Sequence, residues 1–196
     1  MNISLTLIQK AIDWYSTDCT LSSVPYVVDS DIMDWTCPPG VEDRRMTHYN
    51  GKQYVASAEQ SFLQLEKDGK ILDGIKPLIA LTPCYRDEPI LDETHFNIFL
   101  KLEIFDYNPR GPVDYALFWA KRMSLFFLQF DLKTNIIKTD IGYDVMYEDL
   151  ELGSFGKRIS PKGVPYVYGT GLAEPRASLA IQRNFKKVLL SDSSVS

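Results

Sequence analysis

LIALTPCYRDEPILDETHFNIFLKLEIF, residues 78–105, carries the two clearest strand patterns in the chain. Leu78 to Tyr85 and Asn97 to Phe105 are rich in branched and aromatic residues, and the charged segment RDEPILDETH joins them. In the second run Ile98, Leu100, Leu102 and Ile104 alternate with Asn97, Phe99, Lys101, Glu103 and Phe105, so one face is core and the other carries groups capable of chemistry. If the two strands pair antiparallel, Arg86, Glu88, Phe99 and Glu103 share one solvent-facing surface, with His95 in the connecting loop. An arginine fork, a carboxylate and an aromatic plate suit a nucleotide: Arg for phosphate, Glu for the adenine amino group and Phe for ring stacking. The same residues also fit an ordinary salt-bridged strand pair.

Upstream, Leu5, Ile8, Ala11, Ile12 and Tyr15 recur at helical spacing, which predicts an amphipathic helix over 2–16. A β-rich stretch covers Val24 to Asp29. TCPPGVEDRR (36–45) combines paired prolines, glycine and charge and reads as a mobile loop. Gln53 to Ala56 reads as a short strand after Gly51, and Ala58 to Lys67 as a helix. Downstream, Pro112 opens an apolar helix over 113–130, where Asp114, Lys121 and Arg122 argue against a bilayer span. Thr139 to Leu152 and Val164 to Tyr168 are strand-like, and Ala177 to Leu189 is a last helix. Only Ser191 to Ser196 reads as a frayed tail.

The 196 residues suit one domain over 1–190, with no repeat and no linker. With 21 basic and 26 acidic residues the formal charge is −5, so the chain lacks the broad positive field of nonspecific nucleic-acid binding. Neither a signal peptide nor a membrane span is supported at the start, and the expectation is a soluble, cytoplasmic protein. Cys19, Cys37 and Cys84 form no close pair, and with only two histidines a Cys/His zinc site has too few ligands. A nucleophile triad would have to use His48 or His95, and His48 reads as a loop or surface residue. Carboxylates, arginines and backbone loops are left to carry activity.

Two further constellations stand out. Asp144 and Glu151, in YDVMYEDLELGSFGKR, lie seven residues apart on an extended segment with a bend and could hold magnesium against triphosphate oxygens, with Arg158 as a bidentate fork. Tyr147, Glu148 and Asp149 are expected on the solvent face between them. Gly169-x-Gly171-x-Ala173-x-x-Arg176 lets backbone approach a ligand and sets an arginine at a helix start, where phosphate is favoured. It is neither a Walker loop nor a Rossmann fingerprint.

These three segments, in this order, resemble the signature motifs of class II aminoacyl-tRNA synthetases, most closely the aspartyl and asparaginyl branch. TPCYRDE…HFNIFLKLE looks like motif 2, with Arg86, Glu88, His95, Phe99 and the acidic Glu103; GTGLAEPR looks like motif 3, with Ala173 in place of a third glycine. YNGKQYVASAEQSFLQ is similar to the family's amino-acid pocket segment and puts Gln60 in that pocket. YDVMYEDLELGSFGKRI resembles its metal-binding strand, which carries over Asp144 and Glu151 as Mg2+ ligands and Ser154 and Arg158 as amino-acid-binding residues. The resemblance implies an α+β fold, a six- or seven-stranded antiparallel sheet flanked by helices. It also implies a reaction in which an amino-acid carboxylate attacks the α-phosphate of ATP. In this reading Arg86 stabilises the α-phosphate, Arg176 binds the γ-phosphate, Phe99 stacks on adenine, and Gly169 and Gly171 border the ATP. Motif 1 falls at 3–28 with Pro25 as its proline, and implies a homodimer.

Three positions depart from the pattern. Leu63 stands where aspartate-specific members have a lysine, which favours asparagine or another neutral substrate, or an aspartate site built differently. Pro39 stands where an acidic residue meets the α-amino group, and Ala173 replaces a glycine. The 196 residues are expected to be a free-standing catalytic core without an anticodon-binding domain. The expectation is therefore an ATP-dependent ligase that activates an aspartate- or asparagine-like amino acid and passes it to ammonia, an amine or a carrier protein. Charging of tRNA and a non-catalytic regulatory paralogue are the alternatives.

Overall fold

The computed structural model describes residues 3–71 and 76–193. Along the chain run α1 (Leu5–Ser16), β1 (Thr20–Leu21), β2 (Val27–Val28), α2 (Ser30–Thr36), a 3-10 turn (Glu42–Arg44), β3 (Gln53–Tyr54), α3 (Ala58–Lys67), β4 (Leu78–Tyr85) and β5 (Ile98–Tyr107). Then follow α4 (Tyr115–Leu128), β6 (Asn135–Lys138), β7 (Gly142–Tyr147), β8 (Leu150–Ile159), β9 (Pro165–Glu174) and α5 (Arg176–Ser193). Seven strands make one sheet in the order β1-β4-β5-β9-β8-β7-β6, antiparallel throughout except for the short parallel pair β1 and β4. β2 and β3 form a separate two-stranded sheet.

The alternation read in β5 separates two cores. Leu102 and Ile104 face a core closed by α1, α4 and α5, where Tyr15, Trp119, Met123, Phe126, Phe127 and Phe155 are buried. Phe105 and Tyr107 face the opposite side, where Ile32 and Met33 of α2 and Phe62 and Leu63 of α3 cover them. The second face is therefore not open along its length. α3 roofs the C-terminal end of β5, and the solvent-facing surface expected for Glu103 lies beneath that helix, where Glu103 is 4% exposed.

A chain of polar contacts fixes α3 there. The Glu103 carboxylate accepts from the Ser57 hydroxyl at 2.9 Å and the Lys101 ammonium at 3.1 Å, and also from the Ala58 backbone N–H at the helix start. A carboxylate at a helix N-terminus satisfies donors that have no partner within the helix. Ser57 caps the helix and Gln60 completes a capping box, its Oε1 accepting from the backbone N–H groups of Ala56 and Ser57, each at 2.9 Å.

Several boundaries differ from the sequence reading. The stretch 139–152 is not one strand but most of the hairpin β7–β8, whose turn uses Glu148 at φ 54° with no Gly, Pro or Asn to announce it. Tyr147, expected on the solvent face, is buried in the α4-side core. α2, β1 and β6 are too short for periodicity to show in the sequence. α5 continues through Ser193, three residues into the expected tail; residues 194–196 lie outside the described residues.

GTGLAEPR is also not a loop before a helix, because β9 runs through to Glu174. A Cβ on Gly169 would sit 2.0 Å from Cδ1 of Phe155, and one on Gly171 would sit 2.8 Å from Cε2 of Tyr15. Gly171 falls at a bulge against β5, where Leu102 pairs with Leu172 and Glu103 with Thr170. Both glycines thus let core rings lie against the strand, and neither lines the cleft described below. Gly169→Ala is expected to lower stability by about 2–3 kcal/mol through overpacking. The shift of the denaturant midpoint measures it, and an unchanged midpoint would contradict this packing role.

Candidate active-site cleft

Where α3 stops, the N-terminal half of β5 and the adjoining parts of β8 and β9 floor an open cleft. Two cavities of about 270 and 410 Å³ fill it, and Arg44, Arg86, Glu88, Lys101 and Glu151 line both, so they are halves of one site. The smaller half lies between the segment after β4 and the start of α5. The larger extends under the 37–45 loop toward α3 and β8.

In the smaller half, Arg86 leaves the end of β4 and donates to the Ala56 carbonyl at 3.3 Å, with its guanidinium 5.1 Å from the Phe99 ring centre. Arg176 opens α5 and donates to the carbonyls of Glu151 and Thr94, both at 3.1 Å. Among the described residues neither arginine pairs with a carboxylate. His95 sits at the rim with its Nδ1 2.9 Å from Asp92. The Thr94 backbone N–H, the His95 ring and the Thr94 hydroxyl hold the Asp92 carboxyl well below the usual carboxylate range. Of the three acids that line this cavity, Glu88, Glu151 and Glu174, the last turns its carboxylate away to Ser4 and Ser178.

The larger half has a different character. Arg158 of β8 donates through Nη1 to both oxygens of Glu59, each at 2.9 Å, and the Tyr166 hydroxyl donates to Glu59 Oε1 at 2.7 Å. Burial pushes the Glu59 carboxyl up, while Arg158 and Tyr166 pull it down. The Arg158 guanidinium also lies 4.7 Å from the Tyr168 ring centre. Arg44 pairs with Glu88 at 3.3 Å, Arg45 with Asp34, and Lys101 with Glu103. Ser154 lines this half, as do Gln60 and Tyr54.

The architecture is that of class II aminoacyl-tRNA synthetase catalytic domains. A pyrrolysyl-tRNA synthetase from Desulfitobacterium hafniense superposes with a TM-score of 0.72 at 17% identity, covering 92% of this chain and 69% of that one. Seryl-tRNA synthetase from Pyrococcus horikoshii, solved with ATP, superposes with a TM-score of 0.67 at 19% identity over 90% of this chain. This chain spans about half, 49%, of that enzyme's length. No protein-family profile and no curated protein sequence matches the chain.

The structure brings Arg86, Glu88, His95, Phe99, Glu151 and Arg176 to one cavity and Gln60, Ser154 and Arg158 to the other. Four expected residues, Gly169, Gly171, Glu103 and Asp144, stand apart from the walls. Gly169 and Gly171 pack the core, and Glu103 lies under the N-terminus of α3 with its oxygens taken. Gln60 lines the larger half, but its Oε1 caps α3 and its Nε2 donates to Thr36 at 2.9 Å. Leu63 is a core residue of α3, fully buried, so its position does not reach the substrate side.

No three His, Cys, Asp or Glu side chains among the described residues converge as a metal site. Asp144 is in register with the cleft residue Ser154, on the same face of the hairpin, and Glu151, in register with Met146, lines the cleft itself. Two carboxylates on one face fit a Mg2+ that takes its remaining ligands from phosphate and water, rather than an ion held by protein alone.

Sequence reasoning missed Glu59 and Arg44 as wall residues. Arg44 and Arg45 were visible as adjacent cations in a proline-rich loop of an acidic chain. Glu59 was not, because a helix buried on nearly all sides hides which of its polar residues is enclosed. Pyrophosphate, with anionic charge but no base, is expected to raise the melting temperature of the wild type. Arg86→Ala and Arg176→Ala should lose that rise and the exposed Lys70→Ala should keep it; equal shifts in all four proteins would contradict an anion site here.

Proposed function

We propose that this protein is an ATP-dependent ligase that activates an amino acid as its aminoacyl-adenylate. The observation that carries this reading is the pair Arg86 and Arg176. Each is held in place by backbone carbonyls, neither is neutralised by a carboxylate among the described residues, and they share one cavity in a protein of formal charge −5. Buried or half-buried arginines with unused charge attract polyanions, and the guanidinium fork matches phosphate oxygens.

In the proposed reaction a carboxylate oxygen of the amino acid attacks the α-phosphorus of ATP, the α–β phosphoanhydride bond breaks, and pyrophosphate leaves with the electron pair. Arg86 offsets the charge gathering at the α-phosphate, and Arg176 holds the far end of the triphosphate. With Arg86 over one face of its ring, Phe99 has one face left for adenine, and Glu88 offers an acceptor for the adenine amino group. Magnesium held by Asp144 and Glu151 would supply further charge neutralisation at the phosphates. No protein nucleophile is required, since positioning and electrostatics lower the barrier of phosphoryl chemistry.

The order of the sequence motifs supports an aspartate- or asparagine-like amino acid. The acidic balance supports ammonia, an amine or a carrier protein over tRNA as acceptor. ATP–pyrophosphate exchange across the amino acids tests the activation step: exchange is expected with at least one and should fall by about 100-fold or more in Arg176→Ala. Absence of exchange with every amino acid would overturn the reading. A mobility shift with total tRNA would move the assignment of the acceptor to tRNA.

A further inference from the structure

β5 carries an acid at the end of its core face. Leu102, Ile104 and Asp106 share the α4 side of the strand, opposite the cleft, and Asp106 is only 6% exposed. Its Oδ2 accepts from the Trp119 indole N–H at 3.3 Å. Among the described residues Oδ1 accepts from no protein group, and it is not sealed in the core: it opens on a cavity of about 330 Å³. A single neutral donor does not require a charged acceptor, so the fold leaves the charge of this carboxylate without a use.

Aromatic rings and prolines make up much of the remaining wall. Tyr115 and Phe118 meet edge to face with ring centres 6.3 Å apart, Phe118 and Trp119 do so at 4.9 Å, and Pro77 and Pro109 border the same cavity. Phe118 is 38% exposed, so part of its ring is open to a ligand. The nearby cations are engaged elsewhere. Arg122 pairs with Asp18, a second acid on this wall, at 2.6 Å, and Lys76 donates to the Ser16 and Thr17 carbonyls at 3.4 and 3.2 Å. Arg110 borders the cavity and is exposed, and Asp106 pairs with neither it nor any other cation among the described residues. The start of α4 lies on the same wall, where Asp114 caps it with a carboxylate. Burial pushes the Asp106 carboxyl up, and only the Trp119 N–H pulls it down.

We infer that this cavity is a second ligand site, separate from the cleft, and that it takes a small primary alkylammonium ion, with an ammonium N–H on Asp106 Oδ1 and the alkyl chain along Phe118 and Tyr115. Oδ1 can only accept, which calls for a donor on the ligand. A neutral alcohol supplies the donor but leaves the buried charge unmet, and an anion meets two carboxylates. A quaternary ammonium supplies the charge but has no N–H. Aromatic faces and edges around the opening suit a cation on a short apolar chain. Cleft and cavity lie on opposite faces of the sheet, so the inference does not depend on the ligase reading.

Titration with butylammonium chloride, against sodium chloride at matched ionic strength, tests this by NMR of the tryptophan indole N–H signals. The chain has three tryptophans, and Trp14→Phe and Trp35→Phe assign the Trp119 signal by elimination. That signal is expected to shift saturably, with a dissociation constant of the order of 1 mM. Asp106→Asn keeps an oxygen for the Trp119 N–H and removes the charge, and should weaken binding by about tenfold or more. Butanol and butyltrimethylammonium should each bind at least about fivefold more weakly than butylammonium. A Trp119 signal unmoved up to about 50 mM would overturn the inference. So would equal binding of either analogue, or unchanged affinity in folded Asp106→Asn. If that variant does not fold, Phe118→Ala on the exposed wall takes its place, with a loss of about threefold or more expected and no loss contradicting the site. Calorimetric binding with the Trp119 signal unmoved would put the amine in the cleft, and overturn the inference as well.

Discussion

The carboxylate of Glu103 is the interaction on which the site is built. It lies on the interior strand β5 and reaches up to the Ser57 hydroxyl and the Ala58 backbone N–H at the start of α3, while Lys101 closes it from the cleft side. Because the acid sits where α3 begins, the helix roofs one end of the second sheet face and leaves the other end open. The roofed end holds Phe62, Phe105 and Tyr166 in stacked or tilted contact with centres 4.9 to 5.0 Å apart. The open end is the cleft. The same anchoring sets Glu59, one residue after Ala58, against Arg158 on a strand far away in sequence. A buried carboxylate is retained here by backbone and charged donors that would otherwise be unsatisfied.

Much of this was legible in the residues. The alternation along 97–105 predicted two differently used faces, and β4 with β5 pair antiparallel in the register that brings Arg86 and Phe99 into contact. Helix α3 was read with its observed limits, and its Ser57-x-x-Gln60 spacing is a capping box in plain view. The misread parts have physical causes. Close approach of backbone to a ligand and close approach of an aromatic ring leave the same mark in sequence, and at Gly169 and Gly171 the Cβ side is taken by the rings of Phe155 and Tyr15. The β7–β8 turn was hidden because Glu148 adopts a left-handed backbone without a turn-forming residue type. Glu103 and Glu59 were counted or passed over as surface acids, since charge in a sequence carries no sign of burial.

The charge layout gives the cleft its direction. Arg86 and Arg176 are fixed by carbonyls and pair with no carboxylate among the described residues; Arg86 borders both halves, while Arg44, Arg45, Lys101 and Arg158 are each matched to an acid. A triphosphate is complementary to the two unpaired arginines. The likeness to pyrrolysyl- and seryl-tRNA synthetase structures fixes the fold. The residues of this chain supply the rest of the argument.

A crystal structure of the protein with ATP and Mg2+ tests the central claim most directly. The account predicts the triphosphate between Arg86 and Arg176, with adenine on the Phe99 ring and the Glu59–Arg158 pair intact beside an unfilled larger cavity. Nucleotide bound elsewhere, or phosphates engaged by Arg158 in place of Glu59, would contradict it.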